Sequence, residues 1–107
     1  MKRDKLPALT EREFSLQVEG LFKLFGWRYA HFRPAQTNKG WRTPMTGTKG
    51  FPDYVAVRVR DGKRQIIFAE LKSEKGKIST EQDDWLTELG GYLWRPSMLE
   101  EISEKLR

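Results

Sequence analysis

At 107 residues the chain has room for one domain around a single modest core. It carries 20 Lys and Arg against 15 Asp and Glu, a net charge of +5 that suits a polyanionic partner, although such charge also serves solubility alone. The absence of cysteine excludes a disulfide framework and fits a reducing cytosol, and no apolar run approaches the roughly 20 residues of a membrane span.

Residues 1–9 are polar and proline-interrupted and read as a flexible arm; the basic Met1-Lys2-Arg3 start is followed by no apolar signal segment. Thr10 is placed as a helix N-cap, with Glu13 three residues on completing a capping box. Phe14, Val18, Leu21, Phe22 and Phe25 recur at helical spacing, and Gly26 is placed to end the helix. Trp27 to Phe32 alternates and is aromatic, which predicts a strand. His31, the one histidine, reads as a packed or hydrogen-bonded residue, with nucleic-acid contact as the alternative.

Arg33 to Lys49 is the longest stretch predicted to be irregular. Loops this long tend to be functional or disordered, and this one holds four basic residues, no acid and one tryptophan. Lys39, Arg42 and Lys49 can neutralise phosphates and Trp41 can stack on an unpaired base, which predicts a DNA-binding loop; Trp41 tucked onto the core is the alternative.

Two apolar runs follow, Tyr54 to Val59 and Ile66 to Leu71, separated by a turn containing Asp61-Gly62, the signature of a β-hairpin. Alternation puts Ile67, Ala69 and Leu71 on a core face and Phe68, Glu70 and Lys72 on the other. Pairing across the turn brings Asp53, just before the first strand, beside Glu70. Two carboxylates so close repel unless a cation lies between them. Carboxylate and carbonyl oxygens suit Mg²⁺ or Mn²⁺, with the backbone carbonyl of Leu71 a further oxygen ligand. Lys72 beside them can hold a water or stabilise developing negative charge, so the predicted chemistry is metal-assisted phosphodiester hydrolysis. A solvated Glu70–Lys72 ion pair on a surface hairpin explains the same spacing.

Ser73 to Ile78 reads as a polar turn, where Lys75 and Lys77 are placed to contact phosphate. Ser79 or Thr80 caps a second helix through Leu89, stopped by Gly90-Gly91, with Gln82 on the side of Trp85 and Leu86. Tyr92 to Arg95 is a last short strand that Pro96 interrupts, and Ser97 with Glu100 is placed as a capping box for a closing helix. The predicted order is αβββαβα, an α/β fold in which helices cover a mixed sheet.

Gly50-Phe51-Pro52-Asp53, Phe68-Ala69-Glu70-Leu71-Lys72-Ser73-Glu74, Glu81-Gln82 with Trp85-Leu86, and Trp94-Arg95-Pro96 stand in one order. Together they resemble the virus-type replication-repair nuclease (VRR-NUC) branch of the PD-(D/E)XK superfamily, from about Thr10 to the end. The resemblance implies a restriction-endonuclease-like core in a single domain, residues 1–107, and a Mg²⁺- or Mn²⁺-dependent DNA endonuclease acting in DNA repair. It implies that a first-helix glutamate helps hold the metal through water, a position Glu13 matches best with Glu11 and Glu19 as alternatives, and that Gln82 faces the active site beside Asp53, Glu70 and Lys72. Stand-alone members of this branch include junction-resolving nucleases. A short chain with one site then implies a homodimer cutting four-way (Holliday) junctions, in the cytoplasm of a bacterial or phage-infected cell. A non-catalytic DNA-binding module and a flap-type nuclease are the competing expectations.

Overall fold

The computed structural model describes residues 9–33, 35–42 and 45–107, leaving aside the side chains of residues 35–37, 41 and 42. The arm expected at 1–9 lies outside the described residues except for Leu9, which packs against the core.

The chain opens with α1 (Glu11–Leu24). The Thr10 hydroxyl accepts from the Glu13 backbone N–H at 3.1 Å, and the Glu13 carboxylate accepts from Thr10 N at 2.9 Å, so the expected capping box forms. Past the helix, Gly26 takes a φ of +78° that favours glycine. Strand β1 (Arg28–His31) follows. The stretch predicted to be irregular instead holds a hairpin, β2 (Ala35–Thr37) and β3 (Gly40–Arg42), closed by Asn38-Lys39. Its physical cause is the Asn-Lys-Gly turn: Gly40 sits at a φ of +102°, which releases the chain into a second short strand.

Strands β4 (Tyr54–Arg60) and β5 (Lys63–Leu71) form the central hairpin. They run longer than the apolar runs alone predict, because Asp61 (φ 53°) and Gly62 (φ 75°) make the whole turn and pairing continues out to Arg60 and Lys63. Helix α2 (Thr80–Leu89) is capped by Ser79 and ends at Gly90 in the left-handed region. Strand β6 (Tyr92–Trp94), a 3₁₀ turn over Pro96–Met98 and α3 (Leu99–Leu106) complete the chain. The expected Ser97–Glu100 capping box does not form. Ser97 instead gives its N–H and hydroxyl to the Glu74 carboxylate, at 3.0 and 2.6 Å, because the 3₁₀ turn carries it away from the start of α3.

The main sheet has the order β1-β4-β5-β6, antiparallel except for the parallel β5–β6 pair. The fold is thus α/β with helices on a mixed sheet, as expected. On one face Phe14, Val18 and Phe22 of α1 and Ile102 and Leu106 of α3 bury Tyr54, Ala56, Ile67, Ala69, Leu71 and Trp94. Arg58 lies under this layer with its guanidinium 4.3 Å from the Trp27 ring, donating to the carbonyls of Phe25, Leu106 and Arg107 at 2.7–3.0 Å. It therefore ties together the ends of α1 and α3. On the other face α2 covers the end of the hairpin, where Phe51 meets Phe68 and Trp85 edge to face. The register that pairs Tyr54 with Ala69 brings Asp53 alongside Glu70.

Candidate active site

The site lies where β4 begins and β5 ends. The segment entering β4 is held from both sides. Phe32 N donates to the Asp53 carbonyl at 2.8 Å, and the Trp85 indole N–H reaches the carbonyls of Thr48 and Lys49 at 3.2 and 3.0 Å. Between them Gly50, at φ +98°, runs so close to α2 that a Cβ there would stand 2.8 Å from Glu81. Only glycine fits both demands.

Asp53 Oδ2 accepts a long bond from Leu71 N at 3.4 Å. Beside it Glu70 is 1% exposed. Its Oε2 accepts from Gln82 Nε2 at 3.3 Å and lies 3.6 Å from Lys72 Nζ. Its Oε1 is buried and has no hydrogen-bond partner. Burial, and then the Asp53 carboxylate, push the Glu70 carboxyl up to about 8, against the opposing pull of Lys72. Burial of Glu70 also removes the solvated surface ion pair from the alternatives.

Asp53, Glu70, Lys72 and Gln82 all line one open cavity of about 990 Å³. Glu11, Ser15 and Glu19, four residues apart on α1, form another part of its wall, with His31 and Lys49. Helix α1 brings Glu11 and Glu19 to the cavity wall, and Glu13 is not among the residues that line it. Burial raises the Glu11 carboxyl, Lys72 lowers it and Asp53 raises it, so its charge is felt in the cluster. Glu13 is exposed and held low by its bonds to Thr10, committed to the cap.

Among the residues expected to bind DNA, Lys49 lines the cavity with its ammonium 3.8 Å from Glu81. Lys39, Lys75 and Lys77 are exposed but stand off the cavity lining. The side chains of Trp41 and Arg42 lie outside the described residues. The turn bearing Lys75 is fastened by Arg95, whose Nη1 donates to the carbonyls of Ser73 and Gly76 at 2.7 Å each.

Residues 33–92, more than half of the chain, match the family model of the VRR-NUC domain. The chain belongs to the VRR-NUC domain family. With that membership comes a nuclease-type fold. No curated protein and no solved structure matches the chain.

The VRR-NUC match spans Asp53, Glu70, Lys72 and Gln82, whereas α1 and Glu11 precede it. The fold implies a divalent cation, and the donor set fits one. An unpartnered, buried Glu70 oxygen next to a second carboxylate is a place where positive charge is missing. Among the described residues no three His, Cys, Asp or Glu side chains are grouped so as to hold a metal ion by themselves. The sequence held a signal for Glu11: capping claims Glu13 for Thr10, and the four-residue interval from Glu11 to Ser15 to Glu19 marks one side of the helix.

Proposed function

We propose that the chain is a metal-dependent endonuclease hydrolysing phosphodiester bonds of DNA, with branched DNA as its substrate. The observation that carries this reading is the buried, unpartnered oxygen of Glu70 beside Asp53, in an open cavity of a chain whose net charge is +5. Asp53, Glu70 and the Leu71 carbonyl would hold Mg²⁺ or Mn²⁺, which when bound neutralises phosphate charge and makes water a better nucleophile.

The side chains divide the remaining work. Lys72 donates only, so it orients water and faces the negative charge that grows on the phosphate oxygens. Gln82 fixes the rotamer of Glu70. Glu11 sets a second carboxylate against Lys72 and is the α1 acid we assign to support of the site. Lys49, with the loop residues Lys39, Trp41 and Arg42 and the turn residues Lys75 and Lys77, provides the contacts to the DNA backbone and its unpaired bases.

Two symmetric cuts in a four-way junction need two such sites, which a homodimer supplies. The test is a cleavage panel of duplex, flap, splayed and four-way DNA with Mn²⁺, beside light scattering. The four-way junction should be cut fastest, by a dimer. Flap cleavage far ahead of junction cleavage, or a monomer both free and on DNA, overturns the junction reading. DNA binding without nicking in long Mn²⁺ incubations overturns the enzyme.

A further inference from the structure

A proton must leave the water that attacks phosphorus, and apart from the Glu11 carboxylate, set against Lys72, the groups assigned so far offer no acceptor. An ammonium such as Lys72 has no lone pair, and Asp53 and Glu70 are spoken for by the cation. His31 stands in the wall of the same cavity.

The surroundings of His31 are built to present one of its nitrogens. Glu19 receives three neighbours: Tyr29 OH donates to Oε1 at 3.1 Å, Tyr54 OH donates to Oε2, and His31 Nδ1 lies 3.3 Å from Oε2. Burial, first among the causes, pushes the Tyr54 phenol up, so it remains a donor to Glu19. The register sets His31 opposite Tyr54, and the two rings stack at 4.0 Å and 11°. The stacking fixes the ring plane and the carboxylate fixes which edge faces inward.

An Nδ1–H bonded to Glu19 leaves the lone pair on Nε2. Among the described residues nothing hydrogen-bonds to Nε2, and the side chain is 22% exposed. The next residue, Phe32, binds the Asp53 carbonyl, so the end of β1 is fastened to the strand that carries the acid. The charged groups facing the imidazole are Glu19 from α1, Asp53 from the start of β4 and Arg33 from its own strand end. Burial is the largest influence, and with Arg33 it holds the imidazole below its ordinary value against the raising pull of Glu19 and Asp53. These influences favour the neutral ring, which keeps a lone pair.

We propose that His31 is the general base of this hydrolysis and that Glu19 is its positioning residue. The proposal rests on the phosphodiesterase reading above. Nε2 takes one proton from water as the water oxygen bonds to phosphorus. The bond from phosphorus to the leaving deoxyribose oxygen breaks, that oxygen takes a proton from solvent, and the imidazolium returns its own to solvent.

His31 is the one histidine of the chain, so its ring nitrogens give an unambiguous ¹⁵N NMR signature in the metal-free protein. The expected spectrum is the Nδ1–H tautomer near neutral pH, lost or mixed in Glu19→Gln. In single-turnover cleavage with Mn²⁺, His31→Ala should be slower by about 10²- to 10⁴-fold. Its DNA affinity in Ca²⁺ should be unchanged, and added imidazole should restore part of the rate. His31→Gln, which keeps a planar polar group against Tyr54, should be equally slow and serves if His31→Ala does not fold. A wild-type protein that never cleaves overturns the hydrolase reading and this proposal with it. A cleaving wild type beside an equally active His31 variant, a folded His31→Ala that imidazole does not restore, or an Nε2–H tautomer overturns the general base alone.

Discussion

Gln82 joins the start of a helix to a buried acid: its Oε1 accepts from Ser79 N at 2.9 Å, and its Nε2 donates to Glu70 Oε2 at 3.3 Å. One amide thus serves as the third residue of the α2 capping box and as the clamp on the carboxylate proposed to hold metal. The two roles separate by mutation. Ser79→Ala removes the cap alone and should cost about 1 kcal/mol of stability with cleavage close to wild type. Gln82→Ala should cost a similar amount of stability and also slow cleavage by about tenfold, the equivalent of one lost hydrogen bond to a charged group. Equal cleavage by the two variants would show that the amide serves only the helix.

The raised carboxyl of Glu70 makes the metal-free protein sensitive to pH in a definite direction. Its folded value of about 8 lies above the ordinary 4.5, so the folded state holds this proton more tightly than the unfolded chain does. The stability it contributes is complete below pH 4.5 and is lost as pH rises through 8. Melting temperature without metal should therefore fall across that window in the wild type and less in Glu70→Gln. Mn²⁺ must displace the same proton, so calorimetric affinity should climb up to about pH 8 and then level off, with protons released below that pH. Glu13 and Glu74, both held low by hydrogen bonds, act in the opposite sense at more acid pH. A metal affinity flat between pH 5.5 and 8 would contradict the coupling.

Lys72 is a cation and no metal ligand. Lys72→Ala should leave Mn²⁺ binding largely intact while turnover falls by about two to three orders of magnitude, the scale for a lost charge-stabilising donor. Lys72→Arg should recover little, because a planar fork does not replace a compact ammonium. Parallel calorimetry and single-turnover cleavage check both statements. Loss of metal binding in Lys72→Ala would assign the residue to folding instead.

Gly50→Ala tests how the Asp53 segment is held. The left-handed backbone alone costs an L side chain about 1–2 kcal/mol. The added methyl also meets the α2 backbone at 2.8–2.9 Å. Reduced melting temperature together with weaker Mn²⁺ binding is expected, since relief of the clash moves Asp53. A variant with unchanged metal affinity would show that Asp53 is positioned by β1 and β4 alone.

Much of this was legible in the chain because local signals agreed. The Asp-Gly turn fixed the register of β4 and β5, and that register set Asp53 beside Glu70. The capping box at Thr10, and the cap expected at Ser79 or Thr80, located two helix starts. Other features depend on distance in space. Ser97 looked like a cap because Glu100 stood three residues on, but Glu74, 23 residues away in sequence, takes its hydrogen bonds. Glu13 carried the helix-acid assignment although its neighbour Thr10 had already claimed it, and Glu11 faces the cavity. The β2–β3 hairpin was hidden by flanking prolines that made the whole stretch look irregular. That Glu19, Tyr29, His31 and Tyr54 meet was not legible, because it takes α1 packed across two paired strands to bring them together.

The central claim is that Asp53 and Glu70 form a metal-dependent hydrolytic site. The most direct measurement is nicking of branched DNA by the purified chain with Mn²⁺, beside Asp53→Asn, Glu70→Gln and an EDTA control, each variant first shown to fold. Cleavage by the wild type alone, abolished by EDTA, is the expected result. Cleavage at the wild-type rate by a folded Asp53→Asn or Glu70→Gln protein, or cleavage that survives EDTA, would contradict it.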